Sequence, residues 1–390
     1  MPTDRRPPPP SAGYPAALRG DRAEGRRWYD AAVAAEAAGD LPAATAALAT
    51  AIGHDPGNAS WHQRLGRWLL RTRQWRAAVA ALQRAVELQP DRPVRHYWLG
   101  RAREQCWDYP GAVRSYAAAI ELDPSRTSWA SRLAAAERSA AEFRPFRGTL
   151  VAHRGRCGDH PENAIEGLAA LPPYVGGVEV DVRLSRDGVP VLMHDRRVDR
   201  TTSGEGEVSE LRHWRLRRMK GAGGAPVPTL AAYLDACAGR GLRQILLDIK
   251  PPVSPDGAGL TKIVQVVRRS PVADGCLLML RDEPELALAR RVAGDRVRLG
   301  WFATTSENVD ERVAAAGDYR AELLLVAPGG RRYLTHRAAV GTARHAGLRA
   351  GASTINSWRA LEAARRDGCD VILTDLTDQL GHYVGVVCSG

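Results

Sequence analysis

Between Thr149 and Lys250, four short apolar runs each end on, or alternate with, side chains able to do chemistry. His153 and Arg154 follow Thr149-Leu150-Val151-Ala152. Glu179 and Asp181 alternate with Val178, Val180 and Val182. His194 and Asp195 close Val191-Leu192-Met193, and Asp248 and Lys250 alternate with Leu247 and Ile249. Side chains two apart on a strand point the same way. Glu179 and Asp181 therefore share one face of their strand, as Asp248 and Lys250 do on theirs. Three carboxylates converging from two strands suit a hard divalent cation with oxygen ligands. Two histidines suit proton transfer near neutral pH; an arginine and a lysine suit phosphate. Any one of these residues alone reads as structural. At the ends of several strands together they describe metal-assisted cleavage of a phosphate ester.

The same residues belong to an ordered series of motifs: His153-Arg154-Gly155, Pro161-Glu162-Asn163, Glu179-Val180-Asp181, His194-Asp195, Arg200-Thr201-Thr202, Pro228-Thr229-Leu230 and Asp248-Ile249-Lys250. The series resembles the signature of glycerophosphodiester phosphodiesterases, which runs HRG, PEN, ExD, HD, RTT, PTL and E-I-K. It continues to Thr374-Asp375 and so covers about residues 148–380. The resemblance implies an enzyme that hydrolyses glycerophosphodiesters to an alcohol and glycerol 3-phosphate. It implies Glu179, Asp181 and Asp248 as ligands of Mg²⁺ or Ca²⁺, and His153 and His194 as the acid/base pair. Arg154 and Lys250 would then stabilise charge on the phosphoryl oxygens, and Glu162 would orient Arg154 or a water behind it. Two positions depart from the pattern. Asp248 stands where glutamate is commoner, and Ser353-Thr354-Ile355-Asn356 replaces a late W-T-V-N whose tryptophan walls the substrate pocket. The second departure keeps open a lysophospholipase D-like activity or a specialised-metabolite phosphodiesterase. A further alternative is a repeat-based adaptor carrying a retired barrel.

Strands alternating with helices over this region predict a TIM-type β/α barrel, assigned to residues 148–390, with the functional residues at strand C-terminal ends. Nine strand candidates compete for eight places, so one assignment should be wrong. The connection through Ser185-Arg186-Asp187-Gly188 is too short to hold a helix. Asn163-Ala164-Ile165-Glu166 reads as an N-x-x-E capping box opening a helix. The helices expected later include Glu283–Val292, Glu311–Ala316, Arg331–His345 and Ser357–Arg366. Cys157 reads as a bystander, and the basic stretch Arg212–Lys220 as a solvated helix or a collar at the substrate mouth.

Ahead of the barrel, residues 1–24 are rich in Pro, Arg and Gly and read as a disordered tail. Residues 25–145 repeat with a period of 34: Ala44, Ala78 and Ala112; Ala51, Ala85 and Ala119; Pro56, Pro90 and Pro124; Leu48, Leu82 and Tyr116. This resembles three tetratricopeptide repeats, with Thr127–Glu142 as a capping helix, and implies a protein or peptide partner. Six tryptophans at 28, 61, 68, 75, 98 and 107 are expected mostly to fill the inter-helix core.

The formal charge of +11 raises the question of nucleic acid, but lysine occurs only at 220, 250 and 262. That bias speaks of arginine replacing lysine generally, so nucleic acid is disfavoured. Residues 1–147 hold 22 Arg against 15 acidic residues, which slightly favours an acidic partner. No apolar run is long enough to span a bilayer and the start lacks a signal-peptide stretch, so a cytoplasmic product is expected. The six cysteines are scattered without metal-site or disulfide spacing.

Overall fold

A computed structural model describes residues 22–221, 223–252, 256–303, 309–326 and 338–384. The chain forms two compact units. One takes in the chain through Pro145 together with the segment from Gly381, and the other is Phe146–Leu380.

The first unit is helical: α1 (Arg22–Ala37), α2 (Leu41–His54), α3 (Ala59–Arg71), α4 (Trp75–Leu88), α5 (Pro93–Gln105), α6 (Tyr109–Leu122) and α7 (Ser128–Glu142). Equivalent helices start 34 residues apart, at 41, 75 and 109 and at 59 and 93. Asp40, Asn58 and Asp108 each accept a backbone N–H of the helix that follows, which sets three of these starts. The repeating alanines at 44, 51, 78, 85, 112 and 119 are all fully buried, and their small size lets paired helices close. Gly100 shows why: a Cβ there would stand 2.7 Å from the Tyr116 ring. Gly66 meets Leu82, at the equivalent position, in the same way. Trp61, Trp68 and Trp107 are buried, whereas Trp75 and Trp98 are half-buried and Trp28 is exposed. Trp98 nonetheless packs against the same core as Trp61 and Trp68, so four of the six serve the packing. The expected disorder of residues 1–24 falls largely on residues outside those described.

The second unit is a closed barrel of eight parallel strands: β1 (Thr149–Ala152), β2 (Gly177–Leu184), β4 (Gln244–Ile249), β5 (Cys276–Leu280), β6 (Arg298–Ala303), β7 (Ala321–Val326), β8 (Arg349–Ala352) and β9 (Val371–Thr374). β1 pairs with both β2 and β9, which closes the ring. All nine expected strands exist, so the expectation that one was false is corrected. The surplus strand, β3 (Pro190–Leu192), runs antiparallel to β2 through the short turn and is not a stave. Inside, Val151, Leu246, Leu277, Met279, Phe302, Leu323, Leu325, Val371 and Leu373 pack into one apolar plug. Along β4, Leu246 lies in this plug and Asp248 two residues on, so the functional side chains rise from the same inward face.

The capping-box expectation also fails. Helix α8 (Glu166–Ala170) begins without a side-chain cap, and Asn163 adopts φ 56° with its amide turned to the barrel. The helices after β5 and β6 are found as Glu283–Ala293 and Val309–Asp318, and those flanking β8 as Ala338–His345 and Trp358–Arg366; expected positions 331–337 lie outside the described residues. No helix among the described residues is long and apolar enough to cross a membrane.

Candidate functional site

The register of two neighbouring strands builds the centre of the site. β2 and β4 pair so that Asp181 lies directly beside Asp248, with Glu179 two residues back on the same face as Asp181. Parallel neighbours stand about 4.8 Å apart. Oxygens of Glu179, Asp181 and Asp248 accordingly lie within 4.8 Å of one another, and all three residues are buried. Lys250 Nζ reaches Asp181 Oδ1 at 2.7 Å and Asp248 Oδ2 at 2.6 Å. Arg154 Nε lies 3.7 Å from Asp181 Oδ2.

Burial and proximity shift these groups in opposite directions. Burial, then the charges of Asp181 and Asp248, push the Glu179 carboxyl well above its usual range. Burial also works against ionised Asp181, but Lys250 and Asn163 outweigh it and hold that carboxyl low. Burial opposes the Lys250 ammonium as well, and Asp248 and Asp181 overcome it, raising its pKa. Lys250 lies between the two aspartates, Arg154 and Arg281 approach their other oxygens, and Glu179 is left with the least cationic surroundings. Three buried carboxylates form an all-oxygen donor set of the kind a hard divalent cation takes, and these residues could hold one. Each carboxylate oxygen has two lone pairs, so Lys250 and a cation can share them.

Both histidines are held in the same way. His153, just after β1, bonds through Nδ1 to Asp375 Oδ1 at 2.9 Å. Asn356 Nδ2 donates to the other Asp375 oxygen at 2.5 Å. Burial would raise the Asp375 carboxyl, but the bonds from His153 and Asn356 hold it low. His194 Nδ1 meets Asp195 Oδ1 at 2.7 Å, and Arg200 Nε holds the second Asp195 oxygen at 2.5 Å. In each pair the carboxylate fixes a protonated Nδ1 and leaves Nε2 for a substrate. His194 stands close enough to Asp181 to lower its pKa, whereas His153 adjoins the site through the next residue, Arg154, whose N–H donates to Glu179.

The backbone explains the HRG motif. Arg154 and Gly155 are consecutive left-handed residues, with φ 54° and 61°. This turn aims the Arg154 N–H at Glu179 Oε2, 2.8 Å away. A side chain at Gly155 would strike the Tyr233 hydroxyl, so only glycine fits. Arg154 Nη1 donates to Glu162 Oε2 at 3.0 Å, and Arg200 Nη2 reaches Glu162 Oε1 at 2.5 Å. The PEN, HD and RTT motifs are therefore one ion-paired network. A cleft of about 480 Å³ opens along Glu162, Asn163, Met193, Arg200 and Pro228.

Besides Asp195, Arg200 and Asp375, four more residues support the site without a local pattern that assigns them a role. Asn163 donates to Asp181 Oδ2 at 2.7 Å and accepts the Asp181 N–H at 3.0 Å. Arg281, one residue beyond β5, donates to Asp248 Oδ1 and to the Ile249 carbonyl, each at 2.5 Å. Arg183 donates to the His194 carbonyl at 2.8 and 3.1 Å and to the Pro251 carbonyl at 2.8 Å. Asn356 closes the His153–Asp375 chain. Only a period-2 count from Asp181 would have flagged Arg183, and nothing local flags Arg281. Ser353 is buried and small, and Cys157 donates its thiol to the Ala170 carbonyl, a structural role. In the basic stretch, Leu216 is buried while Trp214 is half exposed beneath the Arg218 guanidinium.

Comparison with known proteins places this geometry among relatives. Residues 153–379 match the Glycerophosphoryl diester phosphodiesterase family, and residues 35–103 match a tetratricopeptide repeat family. Over 127 residues the chain is 35% identical to glycerophosphodiester phosphodiesterase 1 of Mus musculus, covering 30% of this chain and 38% of that protein. The chain thus spans well under half the length of this curated relative. A phosphodiesterase from Oleispira antarctica, solved with the product sn-glycerol-3-phosphate, superposes with a TM-score of 0.54 at 22% identity, covering 60% of this chain and 96% of its own. A glycerophosphodiester phosphodiesterase from Parabacteroides distasonis gives a TM-score of 0.52 at 19% identity, covering 60% and 96%. At these identities the two superpositions speak for the fold.

Proposed function

The chain belongs to the glycerophosphoryl diester phosphodiesterase family, and on that premise we propose that it hydrolyses glycerophosphodiesters to an alcohol and glycerol 3-phosphate. The observation that carries this reading is the buried trio Glu179, Asp181 and Asp248 set among two histidine–aspartate pairs. The trio would hold Mg²⁺ or Ca²⁺, which when bound neutralises charge on the phosphoryl oxygens. One imidazole removes the proton from the glycerol hydroxyl next to the phosphate, whose oxygen attacks phosphorus. The other gives a proton to the departing alcohol, and water then opens the cyclic phosphate. Lys250 and Arg154 stabilise the extra negative charge that phosphorus carries at the transition state. Because Ser353 stands where the family pattern has tryptophan, a lysophospholipid or another phosphodiester is the second reading.

Release of glycerol 3-phosphate from glycerophosphocholine and glycerophosphoethanolamine, measured with Mg²⁺, Ca²⁺ or EDTA, tests the proposal. Release with metal and its loss in EDTA is the expected outcome. No turnover of either diester under any condition, or turnover indifferent to EDTA, sinks it. Arg183 adds a finer expectation. Its guanidinium ties the backbone of His194 to that of the segment after Lys250, so Arg183→Met should lower kcat about 10- to 100-fold with a smaller change in KM. Arg183→Lys should recover part of the loss. Equal changes in kcat with methionine and with lysine would contradict a positioning role.

A further inference from the structure

On the repeat unit, α3 and α5 turn one face each to a groove of about 440 Å³. Arg64, Arg67 and Arg71 come from α3, and Trp98, Arg101 and Gln105 occupy the same positions one repeat later on α5. The spacing i, i+3, i+7 makes each set a single helix face. Four guanidinium groups thus line the groove against one carboxylate, Glu36. That carboxylate is already engaged: Trp68 Nε1 donates to it at 2.5 Å and Arg71 lies 3.4 Å away.

Two of the remaining cations have no acid beside them. Among the described residues, Arg64 and Arg67 pair with no carboxylate and lie on aromatic rings instead. Arg64 sits over Tyr29 and Trp68 at 5.3 and 5.8 Å, and Arg67 over Trp98 at 4.9 Å. A guanidinium on a ring face still presents its edge N–H groups outward. Two further donors in the lining, Arg101 Nε and Trp75 Nε1, are buried and have no hydrogen-bond acceptor among the described residues. The nearest acid to Arg101 is Glu104, at 3.8 Å. Excess positive charge beside unanswered buried donors calls for a ligand that brings acceptors.

We propose that this groove binds an acidic peptide in an extended, polyproline-type conformation, with carboxylates on every third residue. The spacing follows from geometry. Packed helices stand about 8–10 Å apart, and α3 and α5 are neighbours. A polyproline helix repeats every three residues, about 9 Å. Side chains three apart therefore reach Arg67 and Arg101, one repeat from each other. Single-stranded nucleic acid fits less well, because it needs bare aromatic faces for stacking bases. Here Trp68 and Trp98 already carry guanidinium groups.

The test uses the full chain and fluorescein-labelled probes read by anisotropy: (Glu-Pro-Pro)₄, (Lys-Pro-Pro)₄, and a peptide of the first composition with its four glutamates contiguous. The spaced acidic probe should bind at least about tenfold tighter than the lysine probe and severalfold tighter than the clustered one. Its affinity should fall as salt rises, since exposed charge pairs are screened. Arg67→Glu with Arg101→Glu should abolish binding, while Arg67→Lys with Arg101→Lys should keep most of it. Circular dichroism establishes that the variants keep their helices; if the double glutamate variant loses them, the contrast among the three probes on the wild-type protein decides. Equal affinity for the acidic and lysine probes, indifference to spacing, or displacement of the acidic probe by oligouridine overturns the proposal. So does undiminished binding by a folded double glutamate variant. None of these readings depends on hydrolysis, so the groove and the barrel site stand or fall separately.

Discussion

Replacing His153 with alanine is expected to lower kcat for glycerophosphodiester hydrolysis by about 10²- to 10⁴-fold, the range of a positioned acid or base. KM should stay within about threefold, because the imidazole contributes to the transition state far more than to the bound substrate. The reason lies in how the ring is held. Asp375 takes Nδ1, Asn356 holds Asp375 by donating to its carboxylate and accepting its backbone N–H, and Nε2 is left as the working atom. Alanine removes the proton carrier but leaves Arg154, Lys250 and the acidic trio in place. Steady-state kinetics on glycerophosphoethanolamine reads the result. A drop of less than about tenfold in kcat would falsify the acid/base role, whatever happened to KM.

Glu179→Gln should separate stability from activity. Without a bound cation, ionised Glu179 is penalised by burial and by two neighbouring carboxylates, so its folded pKa lies above the unfolded value. The folded form then binds more protons than the unfolded one, and this group's contribution to stability falls as pH rises through the unfolded and then the folded pKa. Glutamine keeps the acceptor for the Arg154 N–H and removes the charge. The metal-free variant should therefore melt higher than wild type near neutral pH, and the gap should close at acidic pH where Glu179 is protonated anyway. A cation that binds only the folded form at 100 times its Kd stabilises by about 2.7 kcal/mol. Glu179→Gln should lose most of that gain along with activity. Scanning calorimetry from about pH 4 to 8, with EDTA and with Mg²⁺ or Ca²⁺, measures both effects. A variant that melts lower than wild type in EDTA at neutral pH contradicts the electrostatic account.

Much of this site was legible in one sequence because its parts are local. Glu179 and Asp181, or Asp248 and Lys250, need only the two-residue period of a strand to share a face. What a single strand cannot encode is the register between strands, and it is the Asp181–Asp248 pairing that makes two acidic pairs into one cluster. Asn163 was read as a helix cap because N-x-x-E fits that pattern locally. Its amide instead spends both hydrogen-bonding ends on Asp181, a tertiary contact stronger than the local option. Arg281 lies 33 residues from Asp248, with no periodicity connecting them. The surplus strand β3 was found as a strand, but pairing direction is set by the turn and not by the apolar run. In the repeats the 34-residue period located the helices, while the groove depended on which tryptophans packed inward.

The chain returns to the helical unit after leaving the barrel. Tyr383 is fully buried there against Trp107, with ring centres 4.8 Å apart, and His382 is half-buried near Asp108. During synthesis, the helices through Glu142 leave the ribosome long before this aromatic plug exists. At about 5–20 residues per second, the gap from Glu142 to Tyr383 lasts roughly 10–50 seconds. For that interval Tyr383 cannot pack on Trp107, so the helical unit reaches its final packing only after the last barrel strand has been made.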